Sequence, residues 1–113
     1  PLLAAEEAPP LTGCAAKRQA ISTQIEQAKA HGNSEQQAGL EKALSEVTAN
    51  CTDASLKKER ENKVLDAKHE VSRRQADLDK AMKKGDSDKI NKRKDKLAQS
   101  RKDLQEALDE LDK

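Results

Sequence analysis

The chain has 113 residues, which is the length of one domain or of two very small ones. It contains no Phe, Tyr or Trp, and Leu, Ile and Val together account for only 18 residues, which is too little for a conventional globular core. Its 22 basic and 21 acidic residues nearly cancel, so the high net charge of a typical disordered chain is absent. Ala, Glu, Lys, Leu and Arg make up 62 residues, a composition typical of long helices and coiled coils.

Residues 1–11 (PLLAAEEAPPL) are rich in Pro and Ala and have no helical period. We interpret them as a flexible leader or as the remnant of a signal peptide. No stretch of the sequence approaches the roughly 18–20 consecutive apolar residues that a membrane-spanning helix requires.

Residues 12–51 are predicted to form a short helical hairpin. A first helix over about 12–31 stops at Gly32 and Asn33, a good C-terminal signal. Ser34 opens the motif SEQQ, a capping box in which the fourth side chain reaches back to the Ser34 backbone N–H. The second helix continues from there to about Asn50.

The register of this hairpin predicts a disulfide. Antiparallel pairing about the turn joins residues whose numbers sum to 65, so that Ile25 faces Leu40. The turn and the apolar residues alone define this register, without reference to the cysteines. The same register nevertheless places Cys14 opposite Cys51. Such a bond contributes roughly 3–4 kcal/mol through its effect on the denatured state. It also indicates an oxidising export compartment, since cytosolic thiols stay reduced.

Cys14 has an alternative interpretation. The sequence LTGC that ends at Cys14 resembles the lipobox at which bacterial lipoproteins are cleaved and acylated on cysteine. Acidic and proline residues, however, occupy the place where an apolar signal core should precede that motif. Acylation would also leave Cys51 without its partner.

Residues 52–113 are predicted to form a longer hairpin. Thr52 and Asp53 cap a third helix that ends at Gly85, and a fourth helix begins at Asp86 or Ser87. Apolar residues recur on heptads in both helices, which is typical of an antiparallel coiled coil. The heptad residues are Val64, Val71 and Leu78 on one helix, and Ile90, Leu97, Leu104 and Leu111 on the other.

The predicted fold class is therefore all-α: a short disulfide-closed helical hairpin followed by a longer antiparallel coiled-coil hairpin. A register sum of 175 pairs Leu78 with Leu97 in the second hairpin. Leu65, Met82, Ala107 and Leu108 are expected to widen its apolar stripe. The stripe remains narrow, so a homodimer would bury it better.

The sequence offers no catalytic, cofactor-binding or metal-binding residues that we can assign. His31 and His69 lie on different predicted hairpins without Cys, His or carboxylate neighbours at ligand spacing. No nucleophile elbow or Gly-rich phosphate loop is present. A two-helix coiled coil also rarely builds the concave pocket that catalysis needs. We therefore predict that the chain is not an enzyme and takes no cofactor.

The turn of the second hairpin is rich in basic residues. Residues 79–96, which we call the basic tip, hold eight Lys or Arg against four Asp. This excess predicts contact with an anionic partner such as lipid headgroups or lipopolysaccharide. Nucleic acid fits less well because no aromatic residue is available to stack on bases. A solvated coiled-coil face is the simpler explanation. The candidate anion-contact residues are Lys83, Lys84, Lys92, Arg93 and Lys94.

Three parts of the sequence resemble a known family. They are the segment GLEKALSEVTANC that ends at Cys51, the turn KKGDSDKI that contains Gly85, and the placement of the two cysteines. In these features the chain is similar to the YqjC-like family, small exported proteins of Gram-negative bacteria known as a domain of unknown function. The resemblance implies a signal peptide in the precursor and a periplasmic location. It implies no enzymatic activity or cofactor.

Taken together, these features predict a non-enzymatic periplasmic protein with an interaction or structural role, whose partner is an unknown envelope protein or an anionic surface. The alternative is a binding module for anionic ligands that uses the basic tip. A holdase for stress-damaged proteins would need an exposed apolar patch that the sequence does not visibly offer.

Overall fold

A computed structural model describes residues 9–113, and the first eight residues of the proposed leader lie outside them. The described part of the chain forms four α-helices and no strand, which confirms the all-α prediction. The helices are α1 (Gly13–Ala30), α2 (Ser34–Asn50), α3 (Asp53–Lys84) and α4 (Ser87–Glu110).

The described chain divides into two compact units: the first runs to Asp53 and also includes Lys113, and the second is Ala54–Asp112. The first unit contains α1 and α2, and the second contains almost all of α3 together with α4. The proposed segments 1–11, 12–51 and 52–113 remain a prediction as independent domains.

Backbone hydrogen bonds define the turn between α1 and α2. Gly32 has a φ of +67°, which an L side chain rarely adopts. Its N–H donates to the Lys29 carbonyl, and the Asn33 N–H donates to the Ala28 carbonyl at 2.9 Å. These two bonds satisfy carbonyls that the end of a helix would otherwise leave unpaired, which is the Schellman arrangement. The predicted stop at Gly32 and Asn33 therefore has a direct structural cause.

The predicted capping box at Ser34 is wrong by one residue. Asn33 has a non-helical backbone conformation, so it is the N-cap, and Ser34 is the first residue of α2. The Asn33 side-chain oxygen accepts from the Gln36 N–H at 3.1 Å. In return, the Asn33 amide donates to the Gln36 side-chain oxygen at 3.1 Å. Asn and Ser cap helices about equally well, so two adjacent candidates cannot be ranked without the backbone.

The predicted disulfide between Cys14 and Cys51 is confirmed, with Cα atoms 6.0 Å apart. Cys14 is 4% exposed, and Ile25 and Ala28 are the other buried residues of α1. No residue of α2, over the described positions 34–50, is fully buried. The covalent bond thus joins two helices whose apolar packing is thin.

A carboxylate caps the beginning of α1 from a distant part of the sequence. Thr12 occupies the N-cap position but makes no side-chain capping bond. The Cys14 N–H instead donates to Oδ1 of Asp53 at 3.0 Å, across 39 residues of sequence. A carboxylate at a helix N-terminus accepts a hydrogen bond from an otherwise unpaired N–H. Its negative charge also interacts favourably with the positive end of the helix dipole.

Gly13 makes this contact sterically feasible. Its φ is +63°, and a Cβ atom placed on it would lie 2.5 Å from Oδ1 of Asp53. Only glycine combines that backbone conformation with so close an approach. The glycine of the LTGC sequence is therefore explained by the packing of Asp53. The Cys14 sulfur lies in the disulfide and is not available for acylation.

In the second unit, several predicted seam residues are buried. Leu78 and Leu97, paired in the predicted register, are both buried, as is Val64, whereas the predicted heptad residue Leu111 is 37% exposed. Arg101 of α4 donates a hydrogen bond to the side-chain oxygen of Gln75 in α3, at 3.4 Å. The full heptad pairing of a coiled coil remains a prediction.

Two residues predicted to widen this seam do not do so. Leu65 is 52% exposed and Met82 is 55% exposed. Two helices bury only a narrow stripe on each other, so apolar residues one position away from that stripe face solvent. Ala107 and Leu108 are half-buried, as expected for residues at its margin.

Replacing Cys14 and Cys51 by Ser should lower the free energy of unfolding by roughly 3–4 kcal/mol, because the denatured chain regains the entropy of a loop of 37 residues. Urea unfolding followed by circular dichroism measures this change. Wild-type protein kept reduced should match the double variant. Equal stability of the oxidised protein and the variant would contradict a stabilising bond.

Replacing Gly13 by Ala should destabilise the fold by about 1 kcal/mol or more, because Ala at positive φ is strained and its Cβ meets the Asp53 carboxylate. Gly39 provides a matched control, since it lies within α2 with nothing within 4 Å of a Cβ atom. Gly39→Ala should therefore stabilise by about 0.5–1 kcal/mol. Thermal unfolding of both variants tests the pair, and a Gly13→Ala protein as stable as wild type would contradict the cap.

Candidate functional site

The basic tip lies where α3 ends and α4 begins. Lys83 and Lys84 occupy the last turn of α3, and the chain turns at Gly85. Asp86 caps α4 by accepting from the Lys89 backbone N–H at 3.2 Å. This cap fixes the start of α4, and with it the positions of the cationic side chains in the first turns of that helix.

An open cleft of about 100 Å³ lies beside this turn. Its lining residues come from both helices and are Asp77, Lys80, Ala81, Lys84, Lys89 and Arg93. We call it the cationic cleft, because four of the six carry a positive charge. The structure therefore brings together cations that are up to 13 positions apart in sequence.

The cationic cleft contains only part of the predicted set. Lys84 and Arg93 line it, whereas the predicted residues Lys83, Lys92 and Lys94 do not. The prediction missed Lys80 and Lys89. Their spacing gives a signal that could have found them: Lys80 lies four residues before Lys84, and Lys89 lies four residues before Arg93. Residues four apart share one helix face.

The four cations are not neutralised by neighbouring carboxylates. Within residues 9–113, no Asp or Glu oxygen lies within 4.0 Å of their charged nitrogen atoms. Asp77 also lines the cleft, but its side chain lies 4.0 Å from Arg74. Lys80, Lys84 and Lys89 are exposed, and Arg93 is half-buried.

A second cleft, of about 240 Å³, lies near the turn of the first unit. It is lined by Gln24, Gln27, Ala28, His31 and Gln36. The His31 ring nitrogen Nδ1 is 2.8 Å from the Gln27 carbonyl oxygen, which fixes the orientation of the imidazole at the end of α1. This cleft carries amide groups and one imidazole, so it lacks the charge that distinguishes the cationic cleft.

The described part of the chain, residues 9–113, contains no group of three or more His, Cys, Asp or Glu side chains placed to hold a metal ion. None of its helices has a stretch long and apolar enough to cross a membrane.

The chain resembles proteins that are already known. The model of a family described as "Protein of unknown function (DUF1090)" matches residues 1–106. "Protein YqjC" of Escherichia coli (strain K12) is 46% identical over 77 residues, which are 68% of this chain and 63% of that protein. The match thus spans less than two thirds of the relative's length. No solved structure matches. Because the family model covers nearly the whole sequence, this chain belongs to the DUF1090 family.

Proposed function

We propose that this chain is a non-enzymatic protein of the bacterial periplasm that has an interaction or structural role in the cell envelope. The observation that carries the proposal is the Cys14–Cys51 disulfide, combined with helices that expose charged surface along most of their length. A disulfide of this kind persists in an oxidising compartment, and the periplasm is the compartment expected of this family. A signal peptide in the precursor is part of the same proposal.

The shape of the two clefts described above supports an interaction role. With volumes of about 100 and 240 Å³, they are smaller than the roughly 300–1,000 Å³ of pockets that enclose small-molecule substrates. Both are open to solvent, whereas catalytic groups act most strongly where water is excluded. The charged side chains of the described residues lie mostly on solvent-exposed faces of the helices. A surface of this type suits contact with another macromolecule.

The partner that we propose is an envelope protein or a second copy of this chain. In the second unit, we propose that α3 and α4 form an antiparallel coiled coil with Leu78 opposite Leu97. The burial of both residues supports this register. Such a seam leaves Leu65 and Met82 exposed.

The intact mass of the native protein tests the compartment. We expect protein recovered from the periplasmic fraction to lack two hydrogens relative to the reduced chain. Its two cysteines should react with an alkylating reagent only after reduction. Free thiols in protein recovered from cells, or recovery in the cytosolic fraction, would contradict the proposal. The same spectrum would reveal a lipid on Cys14.

The second candidate function is a binding module for anionic ligands, such as lipid headgroups or lipopolysaccharide, through the basic tip. The cationic cleft favours it, because its four cations have no carboxylate within 4.0 Å in residues 9–113. Unpaired cations that converge on one place attract an anion more strongly than the same charges interleaved with carboxylates.

Salt dependence tests this candidate. Binding to vesicles of anionic lipid should weaken steeply as ionic strength rises, because exposed charges are screened over about 10 Å at 0.1 M salt. Neutralising the five predicted residues should remove most of that binding. The tip variant changes Lys83, Lys84, Lys92, Arg93 and Lys94 to Gln. The control variant changes five exposed lysines elsewhere to Gln: Lys17, Lys29, Lys42, Lys68 and Lys102.

Each variant removes five positive charges. Comparing them therefore distinguishes an effect of where the charges lie from an effect of how many are removed. Wild-type binding by the tip variant would exclude the basic tip as the contact. Equal losses in both variants would show that only net charge matters, and would also contradict a localised site.

A further inference from the structure

We propose that the cationic cleft is a binding site for a phosphate monoester group, held by Lys80, Lys84, Lys89 and Arg93. The inference rests on the second candidate function and deepens it, since it names the residues and the chemical group. The group could belong to a free phosphate compound or to a lipid headgroup that ends in a phosphate. The recognition chemistry is the same in both cases.

Helix geometry places the four cations around one space. Lys80 and Lys84 are one turn apart on α3, and Lys89 and Arg93 are one turn apart on α4. Each pair therefore lies on a single helix face. Because both pairs line the same cleft, these two faces approach each other across it. A small ligand in the cleft would have cationic groups on two opposite sides.

The charge of the cleft favours a multiply charged anion. The lining residues carry four positive charges and one negative charge, that of Asp77. Like charges one turn apart on a helix repel each other and destabilise it. An anion in the cleft would relieve that repulsion. A phosphate monoester carries close to two negative charges near neutral pH, so it matches the cleft better than a singly charged carboxylate.

Hydrogen-bonding groups favour phosphate in particular. The planar guanidinium of Arg93 can donate two parallel hydrogen bonds to phosphate oxygens, and a lysine ammonium adds a mobile point charge. Arg93 is half-buried, so part of its side chain is already held in place, whereas the three lysines are exposed. This division gives one oriented donor and three adaptable ones.

The size of the cleft limits what else is recognised. A cleft of about 100 Å³ is smaller than the roughly 300–1,000 Å³ of pockets that enclose whole small molecules. It is therefore suited to one small group such as a phosphate. The chain also has no aromatic residue on which a base or a sugar could stack. We therefore expect the cleft to recognise the phosphate and to leave the rest of the ligand in solvent.

The experiment compares two double variants of the full-length oxidised protein. The cleft variant is Lys80→Gln with Arg93→Gln, and the control variant is Lys68→Gln with Lys102→Gln. Each removes one positive charge from α3 and one from α4, but only the first removes groups that line the cleft. Inorganic phosphate is titrated into each isotope-labelled protein at constant ionic strength, and amide shifts near Ala81 report binding. Circular dichroism confirms that both variants remain helical.

We expect the cleft variant to bind phosphate at least about tenfold more weakly than wild type, as the loss of charge-assisted hydrogen bonds implies. The control variant should change by less than about twofold, as exposed charges usually do. Asp77→Asn should strengthen phosphate binding, because it removes the opposing charge, whereas Asp79→Asn, outside the cleft, should not. Equal effects of the two double variants would overturn the cleft proposal.

Binding to vesicles distinguishes a lipid phosphate from a free phosphate compound. It also distinguishes the cleft proposal from the broader proposal that the basic tip binds anions. Phosphatidylcholine vesicles that contain phosphatidic acid present a phosphate monoester, and vesicles with phosphatidylglycerol present only a phosphodiester. Preference for phosphatidic acid, lost in the cleft variant, would support the cleft with a lipid source. Phosphate binding without vesicle binding would support it with a free source. Equal binding to both vesicle types, unaffected by the cleft variant, would overturn the cleft while leaving the basic tip as an anion contact. Failure to bind phosphate or either vesicle would overturn both.

Discussion

The covalent bond between Cys14 and Cys51 is the constraint on which the first unit depends. Most helical stability in proteins comes from tertiary packing, yet α2 contributes no fully buried residue over positions 34–50. The bond keeps the two helices close even in the denatured chain, so that modest burial around Ile25 suffices. The Asp53 carboxylate then caps the N-terminus of α1, the same end of the helix that carries Cys14.

Features set by local chemistry or by a simple register could be predicted from the sequence. Glycine followed by Asn at the end of a run of helical residues is a local stop signal, so the turn at Gly32 was evident. Once that turn was located, antiparallel pairing alone placed Cys14 beside Cys51. The hydrogen bond from the Cys14 N–H to Asp53 could be inferred only once the cysteines were paired, because 39 residues of sequence separate its donor from its acceptor. No local sequence pattern predicts this bond.

The candidate site illustrates the same limit. Its predicted residues were neighbours in sequence, such as Lys83 and Lys84, whereas a cleft between helices selects residues by face. Consecutive residues on a helix point about 100° apart, so two adjacent lysines need not line the same cleft, and of this pair only Lys84 does. The periodicity of charge in each helix was therefore more informative than its local density. Lys80 and Lys89 follow from periodicity, but the existence of the cleft itself depends on packing that the sequence does not specify.

The disulfide also determines how the chain would respond to mechanical tension. The disulfide encloses nearly all of α1 and α2 between Cys14 and Cys51, whose Cα atoms are 6.0 Å apart. A force that pulls the two ends of the protein apart would pass directly through the sulfur–sulfur bond. The helices between the cysteines would carry none of that load. Under such tension, α1 and α2 would keep their structure until the disulfide was reduced.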